Sequence, residues 1–409
     1  MPRTAKMDRP ELLAPAGDME RLQFALRYGA DAVYLAGRRF GMRSNVENFD
    51  ETELRCAVEL CHARGVKAYV TCNAIPRDAD IAELPDFLAF VQEVGADALI
   101  IGDLGVFTMA GRYAPQIERH ISTQAGILNV ESACAWHDMG ASRVILAREM
   151  ALSEIAELKA KVPRGLEVEV FVHGAMCVSF SGRCLISQYM TGRDANQGNC
   201  AQPCRWKYHL VEETRPGQYM EITEGGGTHI LNARDLNMIN HLPDLIAADV
   251  DSLKIEGRAK SFYYAAVVTN AYRKALDTVM AGQPLDPIWV REVEKVSHRA
   301  YSTGFFYDSE GGGQYTDDAM YIRGSQVVGV VVDCDETGLA MVSQRNRFFV
   351  GDKLELLTPV DKPQTFTLEA IWDERGVPLE VAPHPMMRVR VQLPQEVPGY
   401  SILRANDCG

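Results

Sequence analysis

Residues 167–174 read EVEVFVHG, and the stretch runs on through AMCVSFSGRCLISQYMTGRDANQGNCAQPCRW to residue 206. The first eight residues alternate strictly. Glu167, Glu169, Phe171 and His173 share one face of an extended strand, and Val168, Val170 and Val172 share the other, because successive side chains point to opposite faces. A valine face suits contact with an outer layer of helices. The polar face then points inward, which puts His173 nearest the mouth of whatever the strand encloses.

Seven other runs have the same character: ELLAPAG (11–17), AVYLAG (32–37), KAYVTCN (67–73), ALIIGD (98–103), HISTQ (120–124), RVILAR (143–148) and SLKIEGR (252–258). Amphipathic helical stretches separate them, and several close on glycine at Gly29, Gly65, Gly95 and Gly140, a physical stop signal for a helix. Eight strand–helix units over about 270 residues predict an α/β fold, a (β/α)8 TIM-like barrel. Its active face lies at the strand C-terminal ends. Those ends carry Asn73, Asp103, Gln124, Arg148, Glu149, His173, Glu256 and Arg258. In the last strand Lys254, Glu256 and Arg258 alternate with Leu253 and Ile255. Buried charges are paired or functional, so either a Glu256–Arg258 or Glu169–Lys254 pair or an anion site using Arg258 and Lys260 is expected.

The pattern breaks once, where 77 residues separate Gly174 from Ser252. A loop that long inside a compact domain is usually functional. Short strands are expected within 207–223 and a helix over 232–248. After the barrel (1–283, with the insertion at 175–250), residues 284–324 read as a helix and a linker. Residues 325–409 read as six short strands, a small C-terminal β-barrel.

The insertion carries Cys177, Cys184, Cys200 and Cys204, four of the chain's ten cysteines in 28 consecutive residues. They sit among Gly, Ser, Arg, Asn and Gln rather than in an apolar pattern. Four thiolates complete a tetrahedral zinc site or hold an iron–sulfur cluster, and the spacing admits both. The net charge of −13 argues against general adhesion to nucleic acid. Arg183, Arg193, Arg205 and Lys207 nevertheless form a local basic group within the cysteine loop. Without a long apolar run or an N-terminal leader pattern, a cytoplasmic protein with no membrane span is expected.

EVFVHGAMCVSFSGRCLIS (169–187) is similar to the signature of peptidase family U32, the collagenase-like peptidases, and ELLAPAGDMERL, DAVYLAGRRFGMRSN, HISTQ and SLKIEGRAKSFYYAAVV fit the same family. QGNCAQPCRW and the segment VVGVVV…VGDKLELLTP look most like its tRNA 5-hydroxyuridine branch. That resemblance implies prephenate-dependent hydroxylation of wobble uridine with a 4Fe–4S cluster on the four cysteines. Zinc is the alternative cofactor. His173, Glu256 and Arg258 are then the catalytic candidates. Asn73, Gln124, Arg148 and Lys260 are candidates for binding substrate, with Arg148, Arg258 and Lys260 gripping a small carboxylated donor, and the basic group (Arg183, Arg193, Arg205 and Lys207) is the candidate for binding tRNA. A peptidase with structural zinc, an accessory factor for rRNA or ubiquinone hydroxylation, and a non-enzymatic scaffold are the competing readings. The chain holds no HExxH or GxSxG motif that would favour the peptidase.

Overall fold

The computed structural model describes residues 9–42, 47–206, 208, 210–211, 219–220, 233–308, 313, 322 and 324–406. Seven parallel strands follow in chain order: β1 (Glu11–Pro15), β2 (Ala32–Leu35), β3 (Lys67–Cys72), β4 (Ala98–Ile101), β5 (Glu118–Ile121), β6 (Arg143–Ile145) and β7 (Glu167–Ala175). The eighth, Ser252–Ile255, pairs in parallel with both β1 and β7 and closes the barrel. Its register sets Ser252 opposite Glu11 on one side and Glu169 on the other. Helices such as Met19–Arg27, Glu51–His62, Leu104–Tyr113 and Phe262–Met280 form the outer layer.

Local chemistry explains the helix boundaries. Asp18 and Asp103 accept hydrogen bonds from backbone N–H groups of their own first turns, and Asp50 forms a reciprocal capping box with Glu53. Gly29 and Gly140 end helical segments at φ +101°, where a side chain would be strained. The expected strand in HISTQ begins two residues early, at Glu118, and gives way to a 3-10 turn at Thr123–Ala125.

Three expectations need correction. Residues 232–248 were expected to be one helix. Instead Asp235–Asn237 is a strand, antiparallel to the end of β7, and the helix spans only Leu242–Ala247. Arg299 holds the buried Asp235 carboxylate through Nε at 2.9 Å, and Tyr301–Ser302 pairs alongside, so long-range partners override the local helical pattern. Second, the helix expected within 284–324, over Trp289–Ala300, starts earlier and is shorter: it spans Pro287–Glu292 and gives way to a 3-10 turn at Val293–Lys295. Third, the C-terminal unit contains Ile402–Asn406, a strand not anticipated, which pairs with both Ser325–Cys334 and Lys353–Leu357 at the centre of the sheet. That antiparallel sheet has eight strands and forms a half-barrel over a core including Val331, Val342, Val389 and Leu403. Within the insertion, Leu210–Val211 and Tyr219–Met220 pair as a short hairpin, as expected. Lys207 lies outside the described residues.

Buried Arg404 joins the two units. It donates to Glu292 and Glu355 at 2.8 Å each and to the Tyr263 hydroxyl at 3.1 Å.

Candidate active site

The lower barrel is filled by charge. Arg143, 2% exposed, donates to Glu11 at 2.6 Å, Glu169 at 3.0 Å and Glu167 at 2.8 Å. Lys254 donates to the other oxygen of Glu169 at 2.9 Å, so the Glu169–Lys254 pair expected from sequence is present. Burial alone would raise the Glu11 and Glu169 pKa values, but the cations Arg143 and Lys254 hold both below the usual carboxylate range.

Above this floor lies a cavity of about 160 Å³ at the strand C-terminal ends. Asn73, Gln124, Arg148, Glu256 and Arg258 line it, and so do all four clustered cysteines. Phe171, expected on the inward face of its strand, forms one wall, and Tyr34 and Thr71 form others that the sequence reading did not single out. Their signal was present: each occupies an inward position of a barrel strand. Arg258 is 3% exposed and donates to the Thr71 hydroxyl at 2.9 Å. Arg148 donates to the Ala175 carbonyl at 3.0 Å. The Tyr34 hydroxyl lies 3.4 Å from the Glu256 carboxylate. Asn73 is fixed by the Met42 amide at 3.1 Å.

His173 is not part of this cavity. The register between β7 and Ser252–Ile255 shifts after Phe171, so that Ile255 faces His173 and an extra residue is taken up. Such a bulge reverses which face the next side chain takes. Phe171 therefore faces the cavity while His173, 1% exposed, turns outward between Tyr272 and Tyr301, each 3.3 Å away. Burial pushes its imidazole down to about 3, with repulsion from His298 and Lys260 working against attraction by Asp235. Lys260 also stands apart from the cavity lining and donates to the Ser297 carbonyl at 2.9 Å. Burial, with repulsion from Arg205 and Arg299, lowers its pKa to about 8 against the pull of Asp235 and Glu256.

The cysteine loop is tied down at several points. Glu149, in the turn beyond β6, accepts from the Ser181 amide at 2.7 Å and pairs with the Ser181 hydroxyl. Asn196 bonds the Cys184 backbone from both ends of its amide, at 3.1 and 3.2 Å, and its own carbonyl accepts from Ile75 beyond β3. Of the basic group, Arg183 donates to the Gln124 carbonyl at 3.0 Å, Arg193 to Asn199 at 2.8 Å, and Arg205 follows Cys204 directly. Leu185, Tyr189 and Trp206 are exposed on the same loop.

The four thiols suit a thiolate-held group by chemistry and by placement. Burial pushes the Cys204 thiol up, and the neighbouring Cys177, Cys200 and Cys184 push it further against the pull of Arg205. Among the described residues no three His, Cys, Asp or Glu side chains are drawn to a single metal-ion position. No disulfide joins any of the nine described cysteines.

Comparison with known proteins adds a second line. Residues 17–315 match the model of the family described as Peptidase family U32, and residues 323–404 match its C-terminal domain. A tRNA hydroxylation protein of Bacillus subtilis is 37% identical over 405 residues, covering 97% of this chain and 94% of that protein. The tRNA hydroxylation protein of Escherichia coli is 36% identical over 451 residues, covering 98% of each. A 23S rRNA 5-hydroxycytidine synthase, also from Escherichia coli, is 36% identical over 320 residues, which span 76% of this chain and 47% of that enzyme.

Proposed function

The chain belongs to peptidase family U32, and from that premise we propose that it is a tRNA-modifying enzyme that hydroxylates carbon 5 of wobble uridine, with prephenate as co-substrate and a 4Fe–4S cluster on Cys177, Cys184, Cys200 and Cys204. The observation that carries the reading is that the four thiols line the same barrel-mouth cavity as Arg148, Arg258 and Glu256, in a chain whose full-length relatives are named tRNA hydroxylation proteins. Replacing a ring hydrogen by hydroxyl is a two-electron oxidation that takes its oxygen from the co-substrate or from water, and a cluster bound here would relay the two electrons singly to an external electron acceptor. Cys177, Cys184, Cys200 and Cys204, which all line this cavity, would hold such a cluster through their thiolates.

The remaining roles belong to the protein's own groups. Arg148 and Arg258 provide positive charge at the cavity wall for a carboxylated donor. Glu256, beside the Tyr34 hydroxyl, is the carboxylate placed to take a proton. Arg183, Arg193 and Arg205 meet RNA phosphates, and the exposed rings of Tyr189 and Trp206 offer stacking surface for unpaired bases. Against a peptidase reading, the Ser181 hydroxyl is engaged by Glu149 and the His173 ring by two tyrosines, so these two do not form a nucleophile–base pair.

The test is iron, acid-labile sulfide and zinc analysis of protein purified without oxygen, followed by nucleoside analysis of tRNA from a deletion strain. About four iron and four sulfide per chain, lost on Cys177→Ala or Cys204→Ala, together with loss of hydroxyuridine from the strain, is the expected result. One zinc without sulfide, or unchanged hydroxyuridine, would sink it.

A further inference from the structure

Gln124 sits in the 3-10 turn Thr123–Ala125, just past the end of β5, and its side chain is 3% exposed. Neither Oε1 nor Nε2 has a hydrogen-bond partner. The backbone around it is committed: its amide donates to the Ser122 hydroxyl at 3.4 Å, and its carbonyl accepts from Arg183 at 3.0 Å. Two glycines keep room for the side chain. A Cβ on Gly102 would fall 3.2 Å from Oε1, and one on Gly182 would fall 3.1 Å from Cγ. Buried polar groups in folded proteins nearly always have partners. A buried amide lining a cavity with both ends unused is therefore built for a ligand.

The chemistry of the amide selects among ligands. It offers one acceptor and one two-hydrogen donor side by side. A carboxylate has acceptors only, so it would satisfy Nε2 and leave Oε1 buried without a donor. The edge of a pyrimidine base has a donor and an acceptor adjacent to one another: in uracil, the N3 hydrogen and a neighbouring carbonyl oxygen. That edge satisfies both ends of the amide at once. Enzymes that modify a base draw it out of its stack and read that edge, with apolar or aromatic side chains against its faces, and Tyr34 and Phe171 line this same cavity.

We propose that Gln124 reads the base-pairing edge of a pyrimidine drawn out of an RNA strand into the barrel mouth. This rests on the RNA-hydroxylating function proposed above and goes beyond it by assigning the base, rather than the carboxylated donor, to this side of the cavity. Neither end of the amide is bonded to a neighbour, so it can turn over to meet the reversed pattern of cytosine. Choice between the two pyrimidines then falls to other groups.

The experiment compares the wild type with Gln124→Met, close in shape but without donor or acceptor on the amide pattern, and Gln124→Glu, which keeps acceptors and loses the donor. Substrates are an anticodon stem-loop carrying uridine at the modified position and the same RNA carrying N3-methyluridine. Product formation and equilibrium binding are both measured, and the visible absorption of each variant checks that the cysteine site is intact. The expected result is a drop of at least tenfold in kcat/KM for RNA in Gln124→Met, a smaller drop in Gln124→Glu, and a donor KM within about twofold of wild type. Wild type should also discriminate against N3-methyluridine, and Gln124→Met should not. A rise confined to the donor KM, or wild-type indifference to the N3 methyl group, overturns the assignment. A wild type that forms no product sinks the hydroxylase reading instead. The binding arm then still decides the base site: weaker binding of the methylated RNA by wild type alone supports it, and equal binding overturns it.

Discussion

At the scale of single residues, burial separates two kinds of polar group. Arg143 belongs to the barrel floor, satisfied by three glutamates. Arg143→Met should cost roughly 3–5 kcal/mol in urea unfolding, because it strands buried carboxylates. A loss under about 1 kcal/mol would mean the floor relaxes or admits water. His173 belongs to the wall behind the cavity. An unfolded histidine takes its proton near pH 6.5, and folded His173 resists until about 3. Between those values the unfolded state binds more protons, so stability is full above 6.5 and is lost as pH falls toward 3. His173→Gln should flatten that acid limb in urea midpoints measured from pH 7 to 4 while RNA hydroxylation persists. An unchanged limb, or lost activity with an intact fold, would return His173 to the chemistry. The alternation in EVEVFVHG could not show this, because the bulge is decided by pairing with Lys254 and Ile255 more than 80 residues away. Gly174 was the local hint.

Among elements, β7 does most to position the site. It pairs with β6, with Ser252–Ile255 and, beyond the bulge, with Asp235–Asn237. At its end Gly174 adopts φ +108°, and a Cβ there would lie 2.3 Å from the Glu256 carbonyl. Gly174→Ala should therefore shift Glu256 at the cavity wall and lower kcat more than it raises the RNA KM, with about 1–3 kcal/mol of destabilisation. A variant with wild-type kinetics would show that the Glu256 backbone has no fixed place in the reaction. The strands of the barrel were legible because each is a short apolar run followed by a polar end. Asp235–Asn237 was not, since three residues carry no period and Arg299 and β7 define it from a distance. Ile402–Asn406 escaped for a related reason: SILRAN sets Ile402 and Leu403 side by side without clean alternation, and pairing with Ser325–Cys334 and Lys353–Leu357 defines it from a distance.

On the scale of the whole molecule, eight repeated units gave away the barrel and the direction of its active face, because the repeat is the fold. The grouping of Asn73, Gln124, Arg148, Glu256, Arg258 and the cysteines around one cavity follows from that geometry. The exclusion of His173 and Lys260 does not, since it depends on local register and packing. Association with RNA is a property of this scale too, given a net charge of −13 and a basic group confined to the cysteine loop. Binding to an anticodon stem-loop should weaken steeply with salt, and Arg205→Ala should reduce the log–log slope by about 0.7–1. An unchanged slope would place the RNA backbone elsewhere. The C-terminal half-barrel is locked on by Arg404, so Arg404→Met should lower the unfolding free energy by roughly 3–5 kcal/mol in a single transition. Two separated transitions would show that the units fold independently.

The strand at 235–237 has one more consequence. The chain leaves β7 at Ala175 and returns at Asp235 directly opposite it, so the whole excursion begins and ends within one strand spacing, about 4.8 Å. It is a purse drawn shut at the neck. Cutting the polypeptide once inside it would leave both new pieces held by the barrel, one contributing strands β1 to β7 and the other the eighth strand with the half-barrel. Nicked protein should therefore elute as a single particle, and the two fragments, separated in denaturant and mixed, should find each other again.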